Sequence, residues 1–109
     1  MNEVRDTDLA WAAGFLEADG STTTSGTSFR IQLGQSGDEV PLQLQRFADI
    51  MGQNVNGPYK PYALSKKPTY QVTITGGKAK WAIRLLAPYM TEGGPKLQKA
   101  QTDLEKSHG

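Results

Sequence analysis

The run Trp11-Ala12-Ala13-Gly14-Phe15-Leu16-Glu17-Ala18-Asp19-Gly20-Ser21 constrains this chain more than any other stretch. It reads as a helix from about Asp8 to Asp19, with Asp6 or Thr7 as its cap and Gly20 as its terminator. Two features are unusual. Ala10, Ala12, Ala13, Gly14 and Ala18 leave almost no side-chain bulk on one flank, and Gly14 costs about 1 kcal/mol relative to alanine in a helix interior. A helix carries that cost most readily where another backbone comes very close. Asp19 lies at the C-terminal end, where the macrodipole is negative and disfavours a carboxylate unless a metal or a basic side chain meets it.

The rest of the chain reads as short alternating elements. Ser21 to Thr24 is a β-branched segment before a Ser25-Gly26 turn, and Thr27 to Gly34 alternates Phe29, Ile31 and Leu33 with Ser28, Arg30 and Gln32. Val40 to Met51 spaces Leu42, Leu44, Phe47, Ile50 and Met51 as an amphipathic helix ending at Gly52. Pro58 and Pro61 make Val55 to Tyr62 an edge or irregular strand. Thr69 to Thr75 alternates again, with Tyr70, Val72 and Ile74 on one face. A helix follows the Gly76-Gly77 break, with Ala79, Ala82, Ile83 and Leu86 inward, and Pro95 opens a final, mostly polar helix. The order is α-β-β-α-β-β-α-α: an α+β domain with one four-stranded sheet, helices on its apolar side and an open, polar, basic face opposite.

At 109 residues the chain forms one domain with one core, residues 1–109. It has no cysteine, no apolar run long enough to span a bilayer and no signal peptide, which places it in a soluble, intracellular setting with no membrane partner. Net charge is only +1, but residues 1–20 hold five acids against Arg5, while the other 89 hold eleven basic side chains against six acids. An acidic helix end against a basic remainder fits a metal site over a polyanion, although solvated surface lysine accounts for the charge equally well.

Ala12-Ala13-Gly14-Phe15-Leu16-Glu17-Ala18-Asp19-Gly20 resembles, position for position, the motif that names the LAGLIDADG homing endonucleases, and the element order extends the resemblance to the last helix. Glu17 replaces the first Asp of that motif, and Ala and Phe stand at leucine positions. The resemblance implies a saddle-shaped antiparallel sheet in the major groove of double-stranded DNA, and motif helices that each deliver one acid to a shared metal centre. One motif copy per chain then implies a homodimer on a roughly palindromic target. Ala10, Ala13, Gly14 and Glu17 are expected at the contact between twin helices, with Trp11, Phe15 and Leu16 turned into the protomer.

The same resemblance assigns the chemistry. Asp19 becomes the ligand of Mg²⁺, with the Gly20 carbonyl as a second oxygen donor. Glu17 is the rival acid, facing elsewhere on the helix. Gln35, at the end of the second strand, orders the attacking water, and a lysine of the last helix, Lys96 in its first turn before Lys99, touches the scissile phosphate or its water. Glu39 stands where some relatives keep a basic residue. On the open face Arg30 suits guanine, Gln32 and Gln71 suit adenine, and Thr73 and Thr75 offer hydroxyls and methyls. Lys60, Lys66 and Lys67, with Tyr59 and Tyr62, suit the phosphates. The first hairpin, Ser21 to Ser28, is short and carries no basic residue, which implies a shorter footprint or looser specificity. Two other readings stay open: a binder of DNA or RNA with this fold and no cleavage, such as an intron-splicing helper or regulator, and a plain α+β dimerisation module.

Overall fold

The computed structural model describes residues 5–25, 28–60 and 67–107. Helix α1 (Asp6–Asp19) runs directly into strand β1 (Gly20–Ser25), and β2 (Ser28–Ser36) returns beside it. Helix α2 (Leu42–Met51), β3 (Asn56–Tyr59), β4 (Thr69–Thr75) and α3 (Gly76–Leu86) follow, then a 3-10 turn (Ala87–Tyr89) and α4 (Pro95–Ser107). Among the described residues the strands form one antiparallel sheet in the order β1-β2-β4-β3.

The two alternating stretches form the middle of that sheet. β2 and β4 pair Ile31 with Ile74 and Leu33 with Val72, so their apolar residues share one face. Phe29, Ile31, Leu33, Val72 and Ile74 are buried there beneath Leu16, Phe47, Leu44, Ile83 and Leu86 from three helices. Each such side chain contributes about 1.5–3 kcal/mol relative to an exposed one, which fixes the register, since a one-residue slip would turn every one of them outward. The inner residues of α3 are those its spacing predicts: Ala79, Ala82, Ile83 and Leu86.

Several boundaries differ from the sequence reading. Helix α1 begins at Asp6 with Arg5 as its cap residue, because the Asp8 carboxylate accepts the Arg5 N–H at 3.3 Å; neither Asp6 nor Thr7 caps it. Asp6 instead accepts the Tyr89 hydroxyl at 2.9 Å, which pushes the Tyr89 pKa up. Helix α2 starts at Leu42, not Val40, since Pro41 holds an extended backbone before it. Leu42 is 87% exposed, whereas Ala48 is fully buried in the core. Helix α3 begins at Gly76 itself, whose φ of 64° turns the chain out of β4.

Gly20 ends α1 for a reason other than a left-handed cap. Its backbone is extended (φ −96°, ψ 170°), a conformation open to any residue. A Cβ there would lie 2.3 Å from Leu16 Cδ1 and 2.8 Å from the Leu16 carbonyl, so only glycine lets β1 leave the helix so tightly. That turn, without any loop, puts Asp19 beside the sheet.

Candidate active site

Asp19 is exposed at the last position of α1, with Gln35 on the neighbouring end of β2. Gln35 has the strand parity of Leu33, the core-facing side, but lies beyond the core and meets Asp19 instead of an apolar neighbour. Its Nε2 donates to Asp19 Oδ2 at 3.0 Å and to Gln43 Oε1, on the first turn of α2, at 3.4 Å. One residue beyond Asp19, the Gly20 carbonyl accepts a hydrogen bond from Lys96 Nζ on α4. Residues 19, 20, 35 and 96 thus come together from four elements.

The Gly20 carbonyl, expected as a second metal donor, is instead the acceptor for an ammonium group. Among the described residues no cluster of three His, Cys, Asp or Glu groups could hold a metal. At the end of α1 the exposed acidic group is the Asp19 carboxylate, one of whose oxygens already accepts the Gln35 amide.

Lys96 and Lys99, both candidates for the phosphate, have different surroundings. Lys99 Nζ donates to the Thr22 carbonyl and to Asp103 Oδ2, both at 2.6 Å, so its charge is already met by a carboxylate. Asp103 is buried at 6% exposure and also accepts the Thr22 hydroxyl at 2.8 Å. Burial pushes its pKa up, but the hydrogen bonds from Lys99 and Thr22 and the Lys99 charge outweigh that and hold it below the usual value. Among the described residues no carboxylate pairs with Lys96. Lys99 is thus paired with a carboxylate, whereas Lys96 is held by a backbone carbonyl. A cleft of about 340 Å³ opens beside both lysines, lined by Leu16, Gly20, Thr22, Met90 and Pro95.

The contact face expected on α1 divides. Ala10 and Gly14 are exposed, together with Ala18, but Ala13 is fully buried against the chain's own core and cannot meet a second chain. Glu17 accepts the Thr91 N–H at 2.9 Å and its hydroxyl at 3.3 Å, so it ties the segment before α4 to α1 and has an intramolecular task. Trp11 packs on the edge of the core, stacked on Phe15 and capped by the Arg46 guanidinium at 4.2 Å.

On the open face of the sheet Arg30, Gln32, Gln71 and Thr73 lie together on the two central strands. Gln32 is opposite Thr73, Arg30 is opposite Thr75, and Gln32 Nε2 donates to Gln71 Oε1 at 3.1 Å. Ser21, two residues past Asp19, is opposite Gln32, which connects the acidic centre to this face. Tyr59 and Lys60 are exposed at the other edge, and Lys67 is exposed within 3.7 Å of Asp38. Tyr62 and Lys66 lie outside the described residues.

Gln43, Asp103 and the Glu17–Thr91 tie were not anticipated. One signal for Asp103 was present: β1, Gly-Ser-Thr-Thr-Thr-Ser, has no apolar residue, so whatever covers Thr22 and Thr24 has to be polar.

No family model matches the sequence, and no curated protein matches it. Among solved structures the chain is similar to the group I intron-encoded homing endonuclease I-CeuI complexed with DNA, with a TM-score of 0.54 at 14% identity. The fold is that of a homing endonuclease. The match covers 96% of this chain and 57% of the endonuclease, so the chain spans little more than half of that protein's length. Among the described residues no helix is long and apolar enough to cross a membrane.

Proposed function

We propose that this chain is a site-specific DNA endonuclease of the LAGLIDADG homing type, acting as a homodimer on a roughly palindromic duplex with Mg²⁺. The observation that carries the reading is the Asp19–Gln35 hydrogen bond, with an unneutralised Lys96 at the next residue, at the margin of a polar face fit for base edges. A pure binding module has no use for an exposed acid there, because it would repel phosphate.

In this reading Asp19 from each protomer holds the divalent cation. The cation supplies, when bound, charge neutralisation for the phosphate and acidification of the attacking water. Gln35 commits its amide N–H groups to Asp19 and Gln43, so its acceptor Oε1 is the end that orients a water by hydrogen bonding. Lys96 brings positive charge to the phosphate oxygens as they gain charge. Arg30, Gln32, Gln71 and Thr73 read bases, and Lys60 and Lys67 meet phosphates.

The exposed stripe Ala10, Gly14 and Ala18 supports the homodimer. These three small residues follow one another at four-residue spacing, so a second helix could approach the backbone of α1 closely along them. The test is selection of cleaved sites from a randomised duplex library with Mg²⁺, repeated with Asp19→Asn. Cutting by the native chain and none by the variant, with DNA binding retained by both, is expected. Binding without cutting by the native chain would overturn the nuclease reading in favour of a binder. No binding at low salt would leave only the dimerisation module.

A further inference from the structure

We propose that Asp103, 84 residues from Asp19 in sequence, is a positioning residue for Lys96. Its catalytic half rests on the nuclease reading above; its structural half does not.

The argument starts from β1. With no apolar side chain of its own, this strand cannot be held to α4 by hydrophobic burial, and α4 meets it with polar residues, Lys96, Lys99 and Asp103. The contacts run in step along both elements. Lys96 Nζ donates to the Gly20 carbonyl, and Lys99 Nζ donates to the Thr22 carbonyl at 2.6 Å. The Thr22 hydroxyl donates to the Asp103 carboxylate at 2.8 Å, and the Thr24 hydroxyl donates to the Asp103 carbonyl at 2.9 Å. From Lys96 to Asp103 a helix rises about 10 Å, and from Gly20 to Thr24 a strand rises about 13 Å, a difference of about one strand residue that the long lysine side chains span.

Asp103 is the member that the others need. It is buried and bonded from both elements at once, by Lys99 on its own helix and Thr22 on the strand. A buried carboxylate with these partners has one satisfied arrangement, and any slide of α4 along β1 breaks several of its bonds together. Removing it leaves Lys99 with a carbonyl and no counter-charge, free to compete with Lys96 for the carbonyls of β1. Lys96, two helical turns earlier, makes no contact with Asp103, but its reach to Gly20 depends on the register that Asp103 sets.

The experiment observes the lysine side-chain ammonium groups by ¹⁵N NMR and measures cleavage of a selected target, in the native chain and in Asp103→Asn, Thr22→Val and Lys96→Met. The Lys96 ammonium resonance is expected to be narrow in the native chain and broadened or lost in Asp103→Asn. The turnover rate is expected to fall about 10- to 100-fold, with DNA affinity changed less than about 3-fold. Combining Asp103→Asn with Lys96→Met should then cost little more than Lys96→Met alone. If Asp103→Asn does not fold, Thr22→Val gives the same signature in milder form. An unchanged Lys96 resonance, or a loss of rate that adds fully to that of Lys96→Met, overturns the proposal and leaves Asp103 as a stabilising group only. A lost Lys96 resonance in a protein whose native form does not cut DNA supports the positioning and refutes the nuclease reading.

Discussion

Helix α1 contains one glycine and is followed at once by another, and the two exist for opposite reasons. Gly20 is required from within: a Cβ would press on Leu16 at 2.3 Å and 2.8 Å. Gly14 is not required by packing among the described residues, since a Cβ there would meet none of their atoms within 4 Å. That bare, small-residue flank leaves room for another helix to come close. On the function proposed above that helix is a second α1, since each chain would bring one carboxylate to a cut of two strands.

Each prediction strains this contrast from one side. Gly14→Leu should have the largest effect, weakening self-association about 100-fold or more by sedimentation while far-UV circular dichroism stays native. Self-association that is unchanged would show that the glycine serves no partner. Gly20→Ala should destabilise the fold by about 1–3 kcal/mol in denaturant unfolding, because Leu16 and Leu33 must shift. Glu17→Gln should cost about 1 kcal/mol and loosen the Thr91 segment by hydrogen exchange, with dimer affinity unaltered, since its carboxylate is committed inside the chain. Gly14→Ala, measured where the protein is dilute and monomeric, should stabilise it by up to about 1 kcal/mol, the reverse of the sign at Gly20.

Acid separates the two ways in which the sheet is covered. β2 and β4 are held by Phe29, Ile31, Leu33, Val72 and Ile74, none of which titrates. β1 is held to α4 through Asp103, faced by Lys99, Thr22 and Thr24. Its pKa is held below the unfolded value of about 3.9, so its contribution is complete above that pH and is lost as pH falls below it. Hydrogen exchange or fluorescence in acid should therefore show α4 loosening before the β2/β4 core.

The parts legible in the sequence are those written as periodicity. Tyr70, Val72 and Ile74 point one way in the sequence and one way in the sheet, because a period of two leaves a strand no other choice. Asp19 and Gln35 were legible as ends of elements, and Gly52 and Pro95 as punctuation. Phase within a small-residue helix was not. Ala10 is exposed and Ala13 is fully buried, and no property of alanine tells the two apart. Leu42 misled for a related reason: it sits in the first turn of α2, on the side away from the core, where only the direction of entry after Pro41 sets the phase. Thr22 and Asp103 are 81 residues apart, and their bond was readable only as an absence, the lack of any apolar residue in β1.

The central claim is that one Asp19 from each of two chains completes one cutting centre. Mixing native and Asp19→Asn protein in equal amounts, with time for subunits to exchange, tests it directly on a selected duplex with Mg²⁺. Pairing at random predicts that double-strand cutting falls to roughly a quarter of the native rate, with nicked duplex or uncut DNA making up the difference. A fall to one half, as expected for chains that cut independently, would contradict it.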